Sequence, residues 1–300
     1  MSGKQSLPKQ IFRAKWIYLA LLPCTAFICI FMVYPLFTAF YVSFTDWRLN
    51  RFDNYRFIGF ANYIKAFSDP LFWKSMWNML IFILWGFFST MLWLMPATYL
   101  VYKLGATRIG KLVQRAYIIP MMIPAMVVTL FWRFFYEPNF GMLNTVLRMI
   151  GAGHLTRVWL GEAALALSAL LFMGFPWVGG FGFLVILAGF QGIDTSLHEA
   201  ARIDGASAAR IFREIDIPLI IPQLKILIVL GMIAGIQQYT NQMIMTQGGP
   251  NYATTVPGLL MYKNAFQYGN LGYGSSIGVI LFILIMSFTV FANTKIKRLD

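Results

Sequence analysis

Six stretches of this chain, roughly Ile17–Phe40, Ser75–Val101, Leu112–Phe135, Ala163–Phe190, Pro218–Met245 and Gly272–Phe291, are long and apolar and carry almost no charge. An α-helix rises about 1.5 Å per residue, so about 20 such residues cross the hydrocarbon core of a bilayer. Backbone in lipid must satisfy its own hydrogen bonds, and a helix does so within one segment. Composition agrees: 59% of the 300 residues are hydrophobic and 12% charged, against about a quarter charged in soluble domains. The expectation is an all-α integral membrane protein, one transmembrane domain over residues 1–300 with six transmembrane helices. The first apolar run is too long, and lacks the small-residue cleavage site, to read as a cleavable signal peptide.

The formal charge of +13 does not require nucleic acid, because cytoplasmic loops of membrane proteins collect Lys and Arg. Alternate loops, with Lys225 snorkelling to the same side, hold fifteen basic residues, and the opposite loops hold nine. That asymmetry puts both termini, and the segment of about 194–217, in the cytoplasm. Cys24 and Cys29, inside the first run, read as small buried residues with no disulfide or metal spacing. Prolines interrupt several spans, at Pro35, Pro96, Pro120, Pro124, Pro176, Pro218 and Pro222 among others. Each removes a backbone donor, which suits either plain kinks or a cavity between helices.

The most polar stretch, EAARIDGASAARIFREIDIPL (Glu199–Leu219), stands between two apolar runs. Ser196 and Glu199 fit a capping box. A short helix follows until Asp204-Gly205, and a second begins near Ala206 with Ala208, Ile211, Phe212 and Ile215 on one face. Pro218 suits the first turn of the fifth span. The Ala-rich first turn offers little to lipid and suits close packing against another protein.

Glu199-Ala200-Ala201, Gly205, Ile215, Ile217 and Pro218 have the order and spacing of the signature of ABC-importer permease subunits, with Ile for Leu. The chain resembles that family, and specifically its sugar-importer branch similar to the larger maltodextrin permease subunit. The further resemblance lies in YPLFTAFYVSFTDW (Tyr34–Trp47), IGFANY (Ile58–Tyr63), FWRFFYEPNFGMLN (Phe131–Asn144) and TQGGPNYATT (Thr246–Thr255). The chain lacks that subunit's extra leading spans and large periplasmic insertion. The resemblance implies a type I ABC-importer fold with cytoplasmic coupling helices. Glu199, Ala200, Ala201, Asp204, Gly205 and Ala206 would dock onto an ATPase. It also implies a homologous sister permease, two cytoplasmic ATPase subunits holding ATP and Mg, an extracytoplasmic binding protein, a bacterial inner-membrane location, and transport by alternating access.

Sugars are read by hydroxyl hydrogen bonds and aromatic stacking, so a path needs amides and rings inside the bundle. GIQQYTNQM (Gly235–Met243) supplies Gln237, Gln238, Asn241 and Gln242, costly in lipid unless they face protein or water. On a continuous helix Gln238 and Asn241 share a face at i,i+3, and Gln237 and Asn241 at i,i+4. Hydrogen bonding between helices is the other use such amides have. The resemblance also places Gly174 and Trp177 of MGFPW at sugar-contacting positions, though Trp177 would equally serve packing. Leu170, Gly235, Met121 and Ala125 depart from the residues of the maltodextrin permease, so the resemblance does not carry its sugar over.

Other readings are weaker. His198-Glu199-Ala200-Ala201-Arg202 imitates a zinc-protease motif, but Arg202 replaces the second His. No G-x-x-x-x-G-K-[ST] loop is present, so neither a catalytic site nor a cofactor is expected in this chain. VGGFGF (Val178–Phe183) reads as close helix packing. Lys225 is the only ionisable residue well inside a span, apart from Arg133 near an end, which argues against an ion-coupled secondary carrier; such a carrier is the main alternative, and a non-transporting membrane scaffold stands behind it.

Overall fold

The computed structural model describes residues 15–50, 55–176 and 179–295. Among these the regular structure is helical, apart from one antiparallel bridge between Thr45 and Phe57. The chain divides into two compact units, one made of Met1–Ala66 with Lys263–Val279, the other of Phe67–Tyr262 with Ile280–Asp300.

In the first unit, α1 (Trp16–Ser43) is 28 residues long and apolar, and its large side chains, Phe27 and Phe31 among them, face outward. Cys24 and Cys29 are exposed on it. They are not the buried residues expected, because no described residue covers that stretch of the helix. At its end Asn62 Nδ2 donates to Ser43 O (2.9 Å) and Thr45 O (2.8 Å), while Ser43 Oγ meets Tyr63 OH at 2.6 Å. Phe44 packs on Phe57, Phe60 and Tyr63. Gly272 passes so near Thr45 O that a β-carbon there would overlap it.

The second unit is built on α3 (Pro70–Leu104), following the short α2 (Ala61–Ser68). Asp69 caps α3 by accepting from Leu71 N at 2.8 Å. Its inner half packs against α8 (Gly180–Gln191) and α11 (Ile221–Gln237) through Leu94, Val101, Phe183, Ile186, Phe190, Ile220 and Leu224. Small residues set the separations: a β-carbon on Gly182 would lie 2.8 Å from Leu94, and one on Gly180 would lie 2.4 Å from Met121 Sδ. The VGGFGF glycines thus serve close helix packing.

The prolines divide the remaining apolar runs. The third run bends by 97° between α4 (Arg108–Met122) and α5 (Ala125–Phe135), at Pro124. A short outer helix, α6 (Met142–Met149), follows it. The fourth run is not one helix but α7 (Ala163–Phe172) and α8, separated at Pro176. The fifth begins later than Pro218. That residue ends the preceding piece, α10 (Ala208–Leu219), and Pro222 opens α11 after a 59° bend. Past Gln237 the chain breaks again before α12 (Thr240–Met245), then continues through α13 (Pro257–Tyr262) to the last helix, α14 (Leu271–Lys295).

Three prolines share a device. The turns Cys29–Val33, Thr90–Leu94 and Phe212–Asp216 are widened to π geometry, each ending two residues before Pro35, Pro96 or Pro218. A proline ring cannot donate to the carbonyl four residues back and clashes with it, and the wider turn moves that carbonyl away.

Candidate functional site

The helices border an open cavity of about 750 Å³, with α3 on one side, α11 on another and Met173, Gly174 and Gly179 on its wall. Its polar lining is Gln238, Ser89 and Thr90, and among the described residues no lining side chain is ionisable. Ser89 and Thr90 donate back to Gly86 O at 3.0 and 2.9 Å, which leaves their oxygens free to accept. Gln238 leaves helical geometry (φ −71°, ψ 124°) at the break, where it lines the cavity. Gly174 lies on the same wall in the left-handed region, at φ +87°. Gly235 lines it too, with a β-carbon there only 2.6 Å from Ile83 Cγ1.

Two of the expected path residues, Gln238 and Gly174, thus meet at one cavity. Asn241 and Gln237 do not join them. Asn241 lies beyond the break, so the shared helical face does not exist, and its Oδ1 takes a hydrogen bond from Thr129 Oγ1 on α5 at 2.9 Å. Gln237 ends α11 exposed and is not part of the lining. Trp177 lies outside the described residues. Gln242 is 2% exposed with its Oε1 unpaired among the described residues. Ser89 and Thr90 had no signal in the sequence, since hydroxyls are common in apolar helices and only the fold selects these two.

The outer end of α3 is pinned to the Thr246–Thr255 loop. Asn78 Nδ2 donates to the carbonyls of Ala253 (3.1 Å) and Thr255 (2.9 Å). Within the loop Thr255 Oγ1 donates to Gly248 O at 2.9 Å. Gly248, at φ +83°, has no room for a side chain, since a β-carbon would lie 2.5 Å from that hydroxyl.

The polar segment folds as helix, turn, helix. α9 (Thr195–Ile203) is capped by Asp194, whose Oδ1 accepts from Ser196 N at 2.9 Å. The cap is therefore Asp194, not Ser196: a carboxylate two residues earlier reaches the first free amide. That bond holds the Asp194 carboxyl below the usual carboxylate range. The helix ends in a Schellman turn: Ala206 N donates to Ala201 O (2.9 Å), Gly205 N to Arg202 O (3.1 Å), and Gly205 takes φ +74°. Ser207 then caps α10 through Arg210 N. Arg210 Nε donates to Glu214 at 2.8 Å on the exposed face. With Arg213 second, that bond holds the Glu214 carboxyl low.

Glu199, Ala200, Asp204 and Gly205 are exposed, Ala201 and Ala206 half-buried, and Ile203 is 86% exposed. A small, partly apolar face is thus left open. On the other side His198 Nε2 lies 2.6 Å from Asp216 Oδ1, both buried. Lys103 Nζ is 3.9 Å from Asp216 Oδ2 and stands over the Tyr99 and Tyr102 rings. The Tyr99 ring also packs on Phe212, centroids 4.3 Å apart. The zinc-like His198 is thus engaged by a carboxylate, and no cluster of metal-ligating residues exists among the described residues.

Apolar helices broken around a cavity, with an exposed capped helix at one end, define a membrane permease. Residues 104–298 match the family of binding-protein-dependent transport system inner membrane components, and the chain belongs to it. It is 30% identical over 289 residues to the sulfoquinovosyl glycerol transport system permease protein SmoG of Agrobacterium fabrum, covering 94% of this chain and 90% of that one. It is 31% identical over 278 residues to the trehalose/maltose transport system permease protein MalF of Thermococcus litoralis, covering 92% of each. In fold it is similar to a chain of a bacterial ABC transporter involved in import of the acidic polysaccharide alginate, with TM-score 0.83, 21% identity, and coverage of 99% of this chain and 100% of that one.

Proposed function

We propose that this permease carries an uncharged sugar or oligosaccharide through the 750 Å³ cavity, driven by ATP hydrolysis on partner subunits. The observation behind this reading is that Gln238, Ser89 and Thr90 line one cavity with no ionisable neighbour on its walls among the described residues. An amide and two hydroxyl oxygens match sugar hydroxyls. A carboxylated or sulfonated ligand would lose water there without gaining a counter-charge. Relatives named for trehalose/maltose and diacetylchitobiose transport support the neutral class. SmoG and the alginate transporter are named for acidic cargo, so the cavity wall is what selects here.

The exposed face of α9, with Glu199, Ala200, Ala201, Asp204, Gly205 and Ala206, would dock onto a cytoplasmic ATPase. Two such ATPases would hold ATP and Mg, since the sequence of this chain carries no G-x-x-x-x-G-K-[ST] phosphate-binding loop. A homologous sister permease would complete the path, and an extracytoplasmic binding protein would deliver the sugar. The fifteen-to-nine basic asymmetry supports cytoplasmic termini and a cytoplasmic α9. ATPase closure would then push α9 and switch the cavity between its two openings.

Affinity purification from native membranes in mild detergent tests the assembly. A second permease and a P-loop ATPase in stoichiometric amounts are expected. A chain that emerges alone across several detergents would favour an ion-coupled carrier instead.

A further inference from the structure

His198 is the one fully buried residue of α9, with Ala201 half-buried beside it, so its side chain is the deepest hold between that helix and the protein. Its partner, Asp216, is fully buried and lies in the widened turn Phe212–Asp216 of α10, five residues and one 59° bend ahead of α11. The other carboxylate oxygen faces Lys103, on the last turn of α3. One carboxylate therefore touches α9, precedes α11 and faces α3. Both α3 and α11 line the cavity, through Ser89, Thr90 and Leu94 on one and Leu227 and Gly231 on the other.

A buried carboxylate is stable only when paired. The pair here is a short, directional contact at 2.6 Å. Apolar contacts slide, whereas a charge-assisted hydrogen bond resists both pulling and pushing. Both partners are buried, His198 6% and Asp216 0% exposed, so water has little access to the bond.

We propose that the His198–Asp216 pair is the joint that passes displacement of α9 to the cavity-lining helices, with Lys103 bracing it from α3. His198 and Asp216 are positioning residues. The proposal rests on the reading of α9 as the ATPase-docking helix, and the test separates the two.

The whole complex is placed in nanodiscs with Cys24 and Cys29 changed to serine, and Ala234→Cys on the cavity wall serves as reporter. A water-soluble maleimide labels it with and without Mg-ATP and vanadate. ATP should change the labelling rate by roughly tenfold, the scale of a typical coupling energy. His198→Ala/Asp216→Asn removes both partners and so leaves no unpaired buried charge. It should still assemble and hydrolyse ATP but lose the ATP response. His198→Gln, whose amide nitrogen reaches the position of Nε2, should regain most of it. An ATP response of ordinary size in the double variant would overturn the joint while leaving α9 docking intact. A glutamine variant as unresponsive as the double variant would overturn it too, since the bond is what is proposed. No response even with the pair intact would overturn the docking reading, and the joint with it.

Discussion

Gly235 on α11 and Ile83 on α3 face each other with no space for a β-carbon: one built on the glycine would stand 2.6 Å from Ile83 Cγ1. The contact lies on the cavity wall, so the spacing of these helices sets the width of the chamber. Gly235→Val should force them apart, costing about 1–3 kcal/mol of stability as overpacking does. Thermal unfolding of the purified complex would show the loss, and uptake should fall with it. A variant as stable and active as the parent would mean the helices separate freely.

Gln238 is the one amide on the wall among the described residues. Gln238→Leu keeps the volume but should remove the hydrogen bonds proposed to the sugar, lowering uptake about tenfold, with assembly and ATP hydrolysis retained. Asn241→Leu, beyond the helix break, should act through packing against Thr129 and lower stability instead. Equal uptake defects without a stability change in both would restore a shared amide face.

Neutral and anionic sugars of similar size should be told apart by this wall. In proteoliposomes with the cognate binding protein, a neutral oligosaccharide should stimulate ATP hydrolysis and its uronic-acid counterpart should not. Stimulation by the acidic form alone would place the missing cations on another subunit.

Gly205 has open space around it yet sits at φ +74°, so substitution there strains the backbone without a clash. Gly205→Val should cost about 1–3 kcal/mol locally, unwinding the end of α9 and uncoupling hydrolysis from uptake. Gly205→Asn should be nearly silent, because Asn tolerates the left-handed region. Glu199→Lys, on the exposed face, should uncouple without unwinding. Measured uptake per ATP hydrolysed separates these cases.

Asp194 accepts the Ser196 amide hydrogen, and its carboxyl is held below the ordinary range. A folded-state value below the unfolded one gives stability that is full above the usual carboxylate range and lost as pH falls through the lowered value. Amide exchange along α9, corrected for intrinsic rates, should therefore speed up only in that acid window. Asp194→Asn should abolish the dependence while keeping the cap. A wild-type helix with pH-independent protection would remove the carboxylate from this role.

The apolar runs were legible because twenty uncharged residues have few other uses, and α9 and its glycine because a signature of fixed spacing carried them. What was hidden depends on where helices stop. GIQQYTNQM has the same periodicity whether or not it breaks at Gln238, so the amides appeared to share a face that the break removes. Asp194, Thr195 and Ser196 are three good caps in succession, and spacing alone chose the wrong one. His198 and Asp216 are 18 apart across two caps and a turn, beyond the reach of any local pattern. Asp216 nonetheless left a trace: an acid set directly against an apolar run.

The widened turns ahead of Pro35, Pro96 and Pro218 change how each helix must be counted. A π turn holds one residue more than an α turn, so everything downstream is rotated by about 100° relative to an unbroken helix. Thr98, Val101 and Lys103 therefore meet their neighbours on an azimuth that ordinary helical numbering assigns to another row. Losing one residue between Thr90 and Leu94 would leave every later side chain chemically intact and aimed elsewhere, with Lys103 swung off Asp216. Length within these few turns thus fixes an angle, which the identity of the residues in them does not.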